Sequence, residues 1–114
     1  MENFLYFADG NGGDDTTEVY IARTSMIASI VPVTVTTTAV YFNTTDETKD
    51  KIVFTHDDKT TTSGHRCKEI SKALATAANA GPKADGMTDI VDLDNNIFYG
   101  DLNFITALAI TLKV

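Results

Sequence analysis

Two histidines and one cysteine supply all the imidazole and thiol chemistry available to this 114-residue chain. They stand in two places: His56-Asp57-Asp58, and His65-Arg66-Cys67 near the head of "SGHRCKEISKALATAANAGPK", residues 63–83. A cysteine close to a histidine suggests a thiolate nucleophile, which needs an activating base and an electropositive pocket. A histidine followed by two carboxylates suggests metal ligation. The spacing weighs against both. Residues two apart on a helix point about 200° from each other, so His65 and Cys67 do not converge on one substrate. Adjacent carboxylates on an extended backbone diverge, whereas zinc sites gather three or four ligands. Cys67 therefore reads as a small core residue, and His65 as a capping or solvated side chain in a first helical turn. His56-Asp57-Asp58 reads as a polar strand end.

The acidic loops invite a calcium reading. An EF-hand loop needs oxygen ligands at positions 1, 3 and 5, glycine at 6 and glutamate at 12. Counting from Asp9 puts Gly13 and Asp14 at positions 5 and 6; counting from Asp92 puts Ile97 at 6 and Asn103 at 12. Neither fits. The chain contains no G-x-x-x-x-G-K, G-x-G-x-x-G, G-x-S-x-G or H-E-x-x-H, which removes the common phosphate cradles, nucleophile elbow and zinc-protease helix. Asn43-Thr44-Thr45 has the form of a glycosylation sequon, with no leader to bring it to the machinery. The expectation is a protein without catalytic residues, metal site or cofactor, and not an enzyme.

The formal net charge is −7, from nine basic and sixteen acidic residues. A nucleic-acid binder needs a basic stripe to displace counterions from phosphate, so the balance argues against nucleic acid. It equally disfavours anionic membranes, and no apolar run is long enough to span a bilayer. One cysteine excludes an internal disulfide. "MENFLYFADG" shows neither a basic leader nor a long apolar run, so secretion by a signal peptide is not expected. The length suits a single domain, residues 1–114, burying roughly 65% of its unfolded area. Eighteen threonines tilt the composition toward sheet.

The elements follow from periodicity. "NFLYFA" alternates, with Phe4 and Tyr6 on one face and Leu5 and Phe7 on the other. "DGNGGDD" breaks it, and "TEVYIAR" is a second strand. "SMIASIVPVTVTTTAVYFN" splits near Pro32 or at Thr36-Thr37-Thr38, with Pro32 at an edge, strand start or bend. The 38–57 segment forms a hairpin around "TTDETKD", with Ile52 and Phe54 facing one way and Val53 and Thr55 the other. Cys67, Ile70, Leu74 and Ala77 or Ala78 mark a helix over 63–79. Thr62 or Ser63 would cap it, and Asn79-Ala80-Gly81-Pro82 would stop it. "MTDIVDL" and "NIFYG" are short strands around Asp94-Asn95-Asn96. "FITALAITLKV" reads as a strand apolar on both faces and hence central, packed on the core with one side and on another subunit with the other. Phe104, Leu108, Ile110, Leu112 and Val114 are its candidate core and interface residues.

These elements predict an α+β domain: a curved, mostly antiparallel sheet of six or seven strands, or a small β-barrel, with one helix packed across it. The "FLYF" strand, the hairpin "TVTTTAVYFNTTDETKDKIVFTH" and the helix "CKEISKALATAANAGP" before an "I-V-D" strand together resemble small virion-associated proteins of marine tailed phages, including phages of cyanobacteria. The resemblance implies a sheet-rich structural subunit or decoration that associates with itself or with other virion proteins, in the virion or the host cytoplasm. A bent sheet with one helix is also similar in architecture to Sm-like small barrels, which assemble into rings and bind RNA. Here the helix follows several strands instead of preceding them, and the Arg-Gly turn and Met-Asn pair of the Sm-like RNA pocket do not occur.

Overall fold

The computed structural model describes residues 4–10, 19–44, 49–57, 66–79 and 87–112. Along the chain run β1 (Phe4–Ala8), β2 (Val19–Arg23), β3 (Ile27–Thr34), β4 (Thr37–Asn43), β5 (Lys49–His56), α1 (Cys67–Asn79), β6 (Met87–Asp92), β7 (Ile97–Phe98) and β8 (Ile105–Thr111). Single 3-10 turns at Thr24–Met26 and Leu102–Phe104 precede β3 and β8. The class is α+β and the pairing mostly antiparallel; β1 with β6 is the parallel exception.

The strands divide between two four-stranded sheets, ordered β2-β1-β6-β7 and β3-β4-β5-β8. This corrects the expectation of one sheet of six or seven strands, and the alternative of a small barrel, since among the described residues neither sheet closes on itself. The physical reason lies in the aromatics. Phe7 of the first sheet meets Phe42 edge-on at 5.8 Å and Phe54 at 6.0 Å from the second, and Tyr20 meets Phe42 at 5.1 Å. Two sheets each carrying large apolar side chains on one face hide those faces most completely against each other.

In the second sheet the register sorts the two faces. Ile30, Val40, Ile52 and Ile110 lie in one row across all four strands, and Pro32, Thr38, Phe54 and Leu108 in the next. These rows face the core. On the outer face Val31, Ala39, Val53 and Ala109 form a row. Pro32 lies on edge strand β3, where its missing N–H costs the ladder nothing. The long Thr/Val run does split at the threonines: Thr34 Oγ1 lies 2.7 Å from Thr37 Oγ1 and accepts the Thr36 N–H at 3.3 Å, closing the β3–β4 turn. The hairpin predicted for 38–57 is β4–β5, paired without a slip from Thr37↔Thr55 to Asn43↔Lys49; residues 45–48 of its loop lie outside the described residues.

Two expectations about the last strand change. It is an edge, beside β5 alone among the described strands, and Phe104 belongs to the 3-10 turn before it. Its outward face is apolar only through Ala107 and Ala109. Alanine exposes so little apolar surface that it tolerates an edge, so two-sided apolarity did not require burial on both sides.

Helix α1 buries Ile70, Leu74 and Ala77 and lies nearest to β3 and the 102–104 turn. Burying side chains such as Ile70 and Leu74 is worth about 1.5–3 kcal/mol each. Ala78 is exposed and Cys67 half-buried. The capping residues Thr62 and Ser63 and the stop at Ala80-Gly81-Pro82 lie outside the described residues.

If the inter-sheet aromatics hold the layers together, Phe42→Ala should cost about 3–5 kcal/mol in urea unfolding, because Phe42 is fully buried. Ile21→Ala, on the outer face of β2, should stay within about 0.5 kcal/mol. Similar losses for both would show that the faces are wrongly assigned.

Candidate functional site

The densest polar cluster lies where β5 ends. His56 follows Ile52 and Phe54 on the inward face of its strand and is only 3% exposed, so the expected polar strand end is in fact buried. Its Nδ1 lies 2.9 Å from the Asp57 carbonyl oxygen, and its Nε2 lies 2.9 Å from Thr38 Oγ1. A carbonyl only accepts, so Nδ1 carries the proton. In the neutral ring Nε2 then accepts from the Thr38 hydroxyl. A hydroxyl donating to an imidazole is the first half of a nucleophile–base pair. Thr38, however, has no exposed surface, so no electrophile reaches its Oγ1. The pair satisfies two buried polar groups in place of chemistry.

The Asp57 carboxylate turns the other way. Arg66 Nε donates to its Oδ1 at 2.8 Å and Nη2 to its Oδ2 at 3.1 Å, while Nη1 donates to Glu69 Oε2 at 2.6 Å. The guanidinium stacks 4.3 Å from the centre of the Phe104 ring, which in turn sets its plane at 83° to His56, with centroids 6.2 Å apart. Arg66 thus fastens the end of β5, the first turn of α1 and the turn before β8. Its hydrogen bond holds the Asp57 carboxyl below the usual aspartate value. In return the bond to Asp57, and then that to Glu69, raises the guanidinium.

A second polar contact joins the sheets: Tyr20 Oη donates to Asp50 Oδ2 at 2.7 Å. Burial, and then the bond to Asp50, pushes the Tyr20 phenol well above its ordinary value. On the outer side of β1, burial raises Tyr6, with Asp92, Asp94 and Asp89 adding to it. Asp92 is itself used as a turn lock, accepting from Asn95 N at 3.2 Å and Asn95 Nδ2 at 2.9 Å. Gly10 is fixed by a close approach: its φ is +80°, and a Cβ there would sit 2.7 Å from Leu93 Cβ. No three histidine, cysteine, aspartate or glutamate side chains gather around a metal position among the described residues. His65, Asp58, Asp14 and Val114 lie outside them, so the His65–Cys67 separation has no structural counterpart here.

Sequence reasoning missed a groove of about 340 Å³ between the helix face Glu69–Thr76 and the turn Tyr99–Leu102, holding Glu69, Asp101 and Lys72 at its rim. Its only sequence signal is the polar side of the helix, which any solvated helix shows. The five residues singled out at the C-terminal end separate. Leu108 and Ile110 point into the core at 6% and 7% exposure, Leu112 is 43% exposed, and Phe104 lies half-buried beneath Arg66. Among the described residues no helix is long and apolar enough to cross a membrane. Comparison with protein-family models, curated proteins and solved structures gives no match.

Two outcomes test the electrostatics. Replacing Arg66 with alanine should lower stability by about 1–2 kcal/mol through the lost stacking and packing. Asp57 is held low in the folded state, so its contribution is present above the ordinary aspartate value and lost as pH falls through the depressed one. Arg66→Ala should therefore flatten the acid limb of the stability–pH curve. Tyr20 has the opposite sign. Its contribution is complete below the ordinary phenol value and drains away as pH rises toward the elevated one. In phenolate absorbance Tyr20 should titrate last of the four tyrosines, after the also raised Tyr6, and Tyr20→Phe should remove that last step.

Proposed function

We propose that this protein is a non-enzymatic structural subunit that works by self-association, as a component or decoration of a phage-type particle. The observation that carries the self-association is the outer face of β3-β4-β5-β8. Its central row, Val31-Ala39-Val53-Ala109, is apolar from edge to edge, with Val31 and Ala109 exposed, Val53 half-buried and Ala39 without exposed surface. The flanking rows, Ser29-Tyr41-Lys51-Thr111 and Thr37-Thr55-Ala107, contain one charge, on Lys51, and no carboxylate. In a chain of net charge −7, two copies can meet on this face without setting carboxylate against carboxylate. The particle context rests on the resemblance of the strand, hairpin and helix segments to small virion proteins. The rival reading as a ring-forming RNA binder drew on a closed small barrel, and two separate open sheets withdraw that support.

Sedimentation across a concentration series is the direct test. The wild-type chain should populate oligomers, and Val53→Lys, which places an ammonium at the middle of the face, should weaken them by about tenfold or more. A chain that stays monomeric at every concentration would remove the proposal.

A further inference from the structure

The four sheet ends are not equally protected. A strand edge offers unpaired N–H and C=O groups, and folded proteins blunt it with short strands, charges, prolines or bulges. Here β7 is two residues long. Strand β3 carries Pro32 and slips register twice, and β2 ends in Arg23, stacked over Phe4 at 5.8 Å. Strand β8, "ITALAIT", has seven residues without a charge or a proline. Its single register slip, opposite Thr55–His56, lies near its start, leaving Ala107–Thr111 regular.

The direction of the ladder shows which groups that edge presents. The His56 N–H donates to Thr36 O at 2.8 Å, on the β4 side of β5. Alternation along β5 then turns Phe54 and Ile52 toward β4 as well, and Thr55, Val53 and Lys51 toward β8. Their partners Ala107, Ala109 and Thr111 use their backbone groups inward, so Leu108 and Ile110 turn theirs to the side on which no described strand pairs. The same phase puts Pro32, opposite Thr38, where no N–H is needed.

We propose that β8 pairs antiparallel, edge to edge, with β8 of a second copy about a twofold axis at Ala109. This rests on the reading that the chain works by self-association and names one surface that does it. The strand is self-complementary about that point. Leu108 stands opposite the partner's Ile110, and Ile110 opposite the partner's Leu108, in two bonded pairs that use all four outward groups. Ala109 meets the partner's Ala109 in the close non-bonded pair, with Cα atoms about 4.5 Å apart, a spacing that suits a methyl side chain. Ala107 faces the partner's Thr111. No like charges oppose each other. The contact is isologous and closed, and it joins the two outer faces into one eight-stranded surface.

The test is sedimentation of the full-length chain with changes at one exposed position. Ala109→Lys and Ala109→Glu should each raise the dissociation constant by about a hundredfold with the circular dichroism unchanged. Mixing the two variants in equal amounts should restore the dimer, because position 109 opposes itself. Should either variant fold poorly, Ala109→Cys in a Cys67→Ala background should form a covalent dimer on oxidation, since about 4.5 Å lies within disulfide range. Oligomers that survive Ala109→Lys, a mixture that stays monomeric, or an Ala109→Cys chain that does not cross-link would overturn the edge pairing. Association lost in Val53→Lys and kept in Ala109→Lys would overturn it too, while leaving self-association standing. A wild-type chain that never associates would overturn both.

Discussion

The fold depends on Phe7, the side chain that both sheets share. It sits on the short strand β1, which pairs on one side with β2 and on the other with β6, more than eighty residues further along the chain. Its ring contacts Phe42 and Phe54 on the two central strands of the facing sheet. One residue therefore joins a local hairpin, a long-range parallel pairing and the opposite layer. Contacts of such sequence separation cost loop-closure entropy before they return anything. A fully buried aromatic cluster is the largest single offset within reach of a chain this size.

Around that cluster the polar groups act as boundary fasteners. Tyr20–Asp50 ties the layers at one margin, and Arg66 gathers strand, helix and turn at another. Thr38–His56 lies deeper and is satisfied from both sides of the imidazole, as a buried polar pair must be if it is not to destabilise the core. The arrangement shows how these particular side chains can lie together without forming a nucleophile–base pair open to a substrate. The hydroxyl, imidazole and carboxylate are brought together at the end of β5, yet the hydroxyl is enclosed, and the carboxylate answers to an arginine instead of the imidazole.

Local pattern made much of this legible. Period-two alternation gave the strands and sorted their two faces, Pro32 allowed an edge among its three readings, and the three-and-four spacing of Ile70, Leu74 and Ala77 gave the helix face. His56 was legible too, since it continues the inward series of Ile52 and Phe54; polarity outweighed position in that reading. Other features had no local signal. The division into two sheets depends on β1 choosing β6, a partner the sequence does not mark. The Arg66 cluster needs Asp57, Glu69 and Phe104 brought together from three elements. The edge position of β8 was obscured because alanine suits a covered face and an open one alike.

That ambiguity of alanine bears on how an acidic chain can associate at all. Like charges spread over the surface keep copies apart, so contact is confined to regions that carry none. The carboxylate-free outer rows and the uncharged β8 edge adjoin at Ala107, Ala109 and Thr111, which belong to both. A larger side chain at these positions would add apolar area but obstruct close strand approach, whereas a charged one would protect the edge and close the face. Small neutral residues leave both routes open while exposing too little apolar surface to make the isolated chain insoluble. In the proposed association, main-chain hydrogen bonds along the edge, more than hydrophobic area, would hold the copies together. In the twofold pairing each copy covers the β8 edge of the other, so that contact closes at two copies and leaves the outer face for any further one.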